Sequence, residues 1–241
     1  MKKMIVYGLI MLVLVLATEL VKAEQTTLQI EGSTTVGPIA DAFAEVFKKD
    51  NPGLSISVNK TGSGNGAAAL IDGRCDIAIL SRFMKDKEFS MAVEKSVYPV
   101  AHVVAMDGVC IVVHPSNPIK ELTTAQIRDI YKGAITNWNQ VGGIDMAIIP
   151  ISRDTSSGTY ETFHELVMNK QEMGSKVEYV NANPQAHARV RTTPGAIGYV
   201  GVGFLDGNVK TVVVDGVTPS RRTIANGTYP IARPLFMFTN G

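Results

Sequence analysis

Arg153, Ser157, Gly158 and Thr159 stand in the stretch "RDTSSGT", between the apolar run "MAIIPIS" and the helix-patterned "YETFHELV". Arginine offers a planar fork of N–H donors, and serine and threonine offer hydroxyls. Glycine lets the backbone approach a guest closely. A helix start adds unpaired N–H groups and the positive end of a dipole. Every one of these groups donates, so the chemistry the stretch can do is to hold an anion. Two further stretches repeat it. "GSTTVGP" brings Ser33, Thr34 and Thr35, and "TGSGNG" brings Ser63 and Gly64, each after an extended run and ahead of a helical one. Any one alone is explained by helix capping, for which Ser and Thr are the ordinary residues. Three together, one with an arginine, point to a shared oxyanion site. Neither glycine loop continues into the Lys-Ser or Lys-Thr of a P-loop, neither has the dinucleotide fingerprint, and "TGSGNG" lacks the G-x-S-x-G order of a nucleophile elbow. Three helix ends at about 0.3–1 kcal/mol each and a few hydrogen bonds to a charged group at about 1.5–3 kcal/mol each can reach the roughly 8 kcal/mol of micromolar binding.

The elements that must position these residues alternate between strand and helix patterns, which predicts an α/β fold of mainly parallel sheets flanked by helices. In such folds ligands gather at the carboxyl ends of strands, where all three loops fall. "VGPIADAFAEVFKKDNPG" predicts a helix with Ile39, Phe43, Val46 and Phe47 on one face and an Asn-Pro-Gly stop. "NGAAALIDGRC" predicts a short helix ending at Gly73, and "CDIAILSR" a strand buried on both faces. "YPVAHVVAMDGVCIVVHPSNP" reads as two β-rich runs hinged at Asp107-Gly108, and "TTAQIRDIYKG" as a helix with a threonine cap. Trp138 reads as a packing residue in a loop, or else as a lip that moves on closure. Arg221 and Arg222 read as surface.

The chain has 241 residues, 45% of them hydrophobic, which suits one large or two small domains. "MKK", the apolar run "MIVYGLIMLVLVLA" and the small residues of "LVKA" read as a secretory signal peptide over residues 1–23, cleaved after Ala23. The run is shorter than the roughly 20 residues that span a bilayer. Cleavage removes three basic residues and one acidic residue, turning the net charge of +1 into −1. A near-neutral chain lacks the basic field that nucleic acid wants, so any anion must be held by local donors. Cys75 and Cys110 each lie in an apolar run. An exported chain could join them, or bury both as small apolar residues. The scattered His102, His114, His164 and His187 give no metal-site spacing, and no catalytic set is visible.

"IEGSTTVGPIADAF", "TGSGNG", "DIAILSR", "GAITNW…VGG", "SRDTSSGTYETF" and "PGAIGYVG", in this order from about residue 28 onward, resemble the periplasmic phosphate-binding proteins of ABC-type phosphate importers. The resemblance implies a two-lobed periplasmic-binding-protein fold of type II, each lobe a mainly parallel sheet flanked by helices, with the ligand between lobes. It implies that Thr34 and Thr35 contact phosphate with Ser33 beside them, that Ser63 gives a hydroxyl and Gly64 a backbone N–H, and that Arg153, Ser157, Gly158 and Thr159 hold the oxygens from the other side. Long members of the family carry an Asp after the third strand. Here Ser81 and Arg82 stand there, and Ser81 is expected to supply a hydroxyl and Arg82 a second positive group. Lobe 1 is expected over 24–105 with 205–241, and lobe 2 over 106–204. Family members usually continue into one or two helices that pack on the first lobe, whereas this sequence stops at "FMFTNG". The implied protein is a monomeric, exported, periplasmic binding protein, not an enzyme, without cofactor or metal. Its partners are inorganic phosphate and the permease subunits of an ABC transporter. The alternatives are a binding protein for another tetrahedral oxyanion such as sulfate or molybdate, and an exported phosphatase.

Overall fold

The apolar runs of the sequence pair side by side as strands, and the Gly- and Ser-rich stretches after them turn into helices. The computed structural model describes residues 27–241, so the segment read as a signal peptide lies outside the described residues. The first half of the chain gives β1 (Thr27–Gly32), α1 (Gly37–Asp50), β2 (Ser55–Asn59), α2 (Ser63–Ile71), β3 (Ile77–Leu80) and α3 (Asp86–Glu94). A long strand, β4 (Pro99–Val113), leads into β5 (Glu121–Leu122), α4 (Thr124–Lys132), β6 (Ile149–Arg153), α5 (Gly158–Leu166), β7 (Glu178–Val180) and α6 (Asn183–Arg191). The chain ends with β8 (Ala196–Gly201), β9 (Lys210–Thr211), β10 (Val213–Val214), α7 (Arg221–Ala225) and β11 (Ala232–Asn240). Where the sequence announced a helix end, the backbone agrees. Thr123 caps α4 by accepting from the Gln126 N–H, and Gly133 closes it at φ 82°.

The strands run in the order β2-β1-β3-β11-β4-β8-β6-β7, with β9 also on β4. The outer pairs β1–β2, β1–β3, β6–β7 and β6–β8 are parallel, and the central pairs are antiparallel. This makes two parallel-stranded halves joined through β4 and β11. β4 is one unbroken strand instead of two runs hinged at Asp107-Gly108: it pairs with β11 up to Gly108 and with β8 from Val109. The glycine there answers a packing need. A Cβ on Gly108 would lie 2.7 Å from the Ile224 side chain.

The segment expected to return at 205 to the first half does so later. β9 pairs with Val112 and Val113, β10 pairs with β5, and only β11 pairs with β3. The cause is apolar burial. Val212, Val214, Ile224, Tyr229 and Ile231 join the core that holds Val109, Ile127, Trp138 and Phe163. Trp138 is a packing residue there, fully buried, with its indole N–H donating to the Gly195 carbonyl at 3.0 Å. Helix α1 is also rotated from its expected face. Ala40 and Ala44 are buried, while Phe43 and Phe47 remain 52% and 51% exposed. Small residues let this helix lie close to the sheet, and the bulky stripe is carried to the side. Cys75 and Cys110 are both buried free thiols.

Candidate functional site

The site is built where four helix starts converge on the seam between the halves. Ahead of α1, Ser33 Oγ accepts from the backbone N–H groups of Thr35 and Val36 at 3.1 and 3.3 Å. Ahead of α2, Gly62 takes φ 110°, and a Cβ on it would lie 2.6 Å from Ser156 Oγ of the opposite half. That conformation and that approach both require glycine. At the head of α5, Ser157 Oγ accepts from the N–H groups of Thr159 and Tyr160, an N-cap in full. The fourth start, α6, begins at Asn183.

The hydroxyls meet across the seam. Thr35 Oγ1 lies 3.1 Å from Thr159 Oγ1. Ser63 Oγ accepts from the Ser81 N–H at 3.0 Å and lies 3.2 Å from Ser81 Oγ. A Cβ on Gly158 would press into both of those serines, coming within 2.7 Å of Ser81 Oγ. Ser33, Thr34, Thr35, Ser63, Ser81, Ser157 and Thr159 are all buried. The structure therefore brings together every hydroxyl that the sequence nominated. Gly64 is at the seam too, but its N–H donates to the Ser156 carbonyl of the other half at 2.9 Å.

Arg153 ends β6 at the head of this cluster. The Tyr199 hydroxyl accepts from its backbone N–H at 3.1 Å, and the Tyr199 ring is stacked on Phe163 with centroids 4.0 Å apart. Its guanidinium donates through Nε to the Val180 carbonyl at 3.3 Å and through Nη2 to the Asn181 carbonyl at 2.7 Å. Nη1 is buried with no hydrogen-bond partner. Burial pulls its pKa down to about 10, so it remains a cation at neutral pH but an undersolvated one. An unpartnered buried donor is costly, and an anion would relieve it.

Arg82, expected as a second positive group, is engaged by carboxylates. Its Nη1 and Nη2 grip both oxygens of Glu88 at 2.8 and 2.7 Å, and its Nε contacts Glu161 on the opposite half. Lys85 adds a 2.7 Å ion pair to the same Glu161. Two carboxylates thus hold Arg82 as a bridge between the halves. The second guanidinium of the site is Arg233, on β11. It is 4% exposed and forks onto Asp107 through Nε and Nη2 at 3.0 and 2.8 Å. It also reaches Gly158 O at 3.1 Å and Thr159 Oγ1 at 3.0 Å. Sequence reading missed Arg233, because no local motif marks an arginine in a terminal strand. It missed Asn183 as well, although "VNANPQA" is a fourth strand-to-helix turn.

The arrangement is a buried, donor-rich cluster lined by both halves and suited to a tetrahedral oxyanion. The PBP superfamily domain matches residues 17–241. The chain is similar to the phosphate-binding protein PstS of Staphylococcus epidermidis, with 35% identity over 220 residues, 86% of this chain and 67% of that protein. It is 33% identical to PstS of Bacillus subtilis, over 89% of this chain and 70% of that one. Among solved structures, a substrate-binding protein of Clostridium perfringens with bound phosphate superposes with a TM-score of 0.84 at 34% identity, over 89% of this chain and 86% of that one. An ABC-type phosphate transport receptor from Vibrio cholerae superposes with a TM-score of 0.72 at 32% identity, over 89% and 87%.

Proposed function

The chain belongs to the PBP superfamily, with its phosphate-binding proteins, and from that premise we propose that it binds inorganic phosphate between its lobes and delivers it to the permease of an ABC transporter. The observation that carries the reading is the buried, unpartnered Nη1 of Arg153, at the head of the loop that supplies Ser157 and Thr159. The ligand oxygens are held by Arg153, by the hydroxyls of Thr34, Thr35, Ser63, Ser81, Ser157 and Thr159, and by the helix starts behind them. Ser33 shapes the first loop, and Gly158 lets the halves approach. The lobes comprise 27–108 with 232–241, and 109–231.

The role is binding without turnover. The partners of the cluster hydroxyls among the described residues are amide, guanidinium and hydroxyl groups, so no imidazole or carboxylate takes a proton from any of them. Contacts such as Thr35–Thr159 and Gly64–Ser156 join the halves only when they are closed, and a ligand touching both loops shifts the population toward that state. The protein acts outside the cytoplasmic membrane as a monomer, after removal of residues 1–23. Calorimetric titration of the chain from Glu24 with phosphate, followed by competition with sulfate, tests the reading. Micromolar or tighter phosphate binding that excess sulfate fails to displace is expected. Absent phosphate binding, or equal competition by sulfate, overturns it.

A further inference from the structure

The threonine hydroxyls of the site are approached by groups that can only donate. The Asn183 Nδ2 amide lies 3.1 Å from Thr34 Oγ1 and 2.9 Å from Thr35 Oγ1. Arg233 Nη2 lies 3.0 Å from Thr159 Oγ1 and 3.4 Å from Thr35 Oγ1. A hydroxyl has one proton and two acceptor lone pairs. Thr35 therefore accepts from Asn183 and lies 3.1 Å from Thr159, so one of these two hydroxyls donates to the other. Thr159 accepts from Arg233, and since one proton closes the Thr35–Thr159 bond, the other proton of the pair is left to be given. Thr34 accepts from Asn183, which leaves its proton to be given as well.

Both donors are themselves fixed. Asn183 is fully buried, and its Oδ1 accepts from the Gly201 N–H at 3.1 Å. Since only the amide oxygen can accept that bond, Nδ2 must face the threonines. Arg233 is locked by its fork onto Asp107, and Asp107 is held in turn by the Val202 N–H at 2.9 Å.

We propose that Asn183 and Arg233 are positioning residues of the oxyanion site: they donate into Thr34, Thr35 and Thr159 and so turn the Thr34 proton, and the one proton that the Thr35–Thr159 pair has left, outward onto the oxygens of the bound phosphate. The inference rests on the phosphate reading above and extends it to two residues outside the three nominated loops. Hydroxyls turned the other way would present lone pairs to an anion and repel it. The edge of the site that they form takes unprotonated oxygens of the ligand.

The test is a double-mutant cycle read by calorimetric titration with inorganic phosphate. Asn183→Asp keeps the side chain's shape and the acceptor for Gly201, but replaces the donor by an acceptor. It is compared with wild type in the native and Thr35→Val backgrounds, with the melting temperature of each variant recorded. Asn183→Asp is expected to lose roughly 30- to 100-fold in affinity. In the Thr35→Val background the further loss is expected to fall below about tenfold. Repulsion by the added charge acts in both backgrounds and cancels in the comparison. Equal losses in both backgrounds, or no loss at all, overturn the proposal for Asn183. If that variant fails to fold, Arg233→Lys carries the test. It keeps the charge on Asp107 but not the fork, and its expected tenfold loss should vanish in a Thr159→Val background. A loss unchanged there overturns the proposal. Failure of wild type to bind phosphate is a separate outcome, seen in the first titration, and it removes the site reading and the positioning role with it.

Discussion

Arg153 is buried before any anion arrives, and that has a sign. Its pKa falls to about 10 in the folded chain, below its value in an unfolded one. The unfolded state therefore holds the proton more tightly, and the charged group costs stability at every pH below about 10, a cost relieved only as the pH rises past that value. Arg153→Met should leave the melting temperature of the free protein equal or higher. It should also weaken phosphate binding by roughly 10- to 100-fold, so that phosphate no longer stabilises the variant in a thermal melt. A lower melting temperature of the free variant would show that the guanidinium is satisfied without an anion. The thiols make a second residue-scale case. Burial pushes Cys75 up to about 12, and burial also raises Cys110. Neither should react with a thiol reagent at pH 8 until the chain is unfolded, when both should. The hydroxyls of the site were legible in the sequence because Ser, Thr and Gly at a strand-to-helix turn have local meaning. The ion pairs of Arg82 were not legible because Glu161 is distant in sequence. Arg233 was invisible because its value depends on β11 lying beside β4.

At the scale of elements, the seam is set by how closely α5 comes to α2 and β3. Gly158→Ala presses a methyl against the Ser63 and Ser81 side chains, and Ser63 Oγ is held in place by the Ser81 N–H. Phosphate affinity should fall by 100-fold or more with the fold intact, measured by titration together with circular dichroism. Normal affinity would mean that the halves close with more space than this structure has. The Glu161 bridge to Arg82 and Lys85 is the polar counterpart. Glu161→Gln should lower affinity by no more than about fivefold, since Arg82 keeps its fork onto Glu88 and the remaining ion pairs contribute roughly 1 kcal/mol or less, and the difference from wild type should shrink in high salt. Element order and type were readable from hydrophobic period, glycine stops and caps. The rotation of α1 was not, because period alone does not tell whether alanines or phenylalanines face a sheet that wants a close approach.

At the scale of the molecule, a ligand that bridges the lobes stabilises the whole. At a free phosphate concentration of 100 times the dissociation constant the gain is about 2.7 kcal/mol, which for a chain of this size is a rise in melting temperature of about 5–10 °C. Differential scanning fluorimetry with phosphate and with chloride at equal ionic strength measures it, and equal shifts would deny a specific site. The α/β fold of mainly parallel strands flanked by helices followed from the ordered motifs, but the pairing of residues 205–231 did not. The short β9 and β10 and the helix α7 carry little strand or helix signal of their own. What places them is the core they help to fill.

The joint between the lobes is a ribbon and not a flexible loop. Asp107 pairs with Arg233 and Gly108 with Ala232, and the Val109 N–H still bonds to the Ile231 carbonyl on the far side of the crossing. Motion of one lobe against the other must then twist this two-stranded strip while its ladder stays hydrogen-bonded. Such a strip behaves as a leaf spring with a restoring torque in both directions. Its stiffness, at the crossing that also carries Arg233 into the site, would govern how fast the cleft opens to let its cargo go.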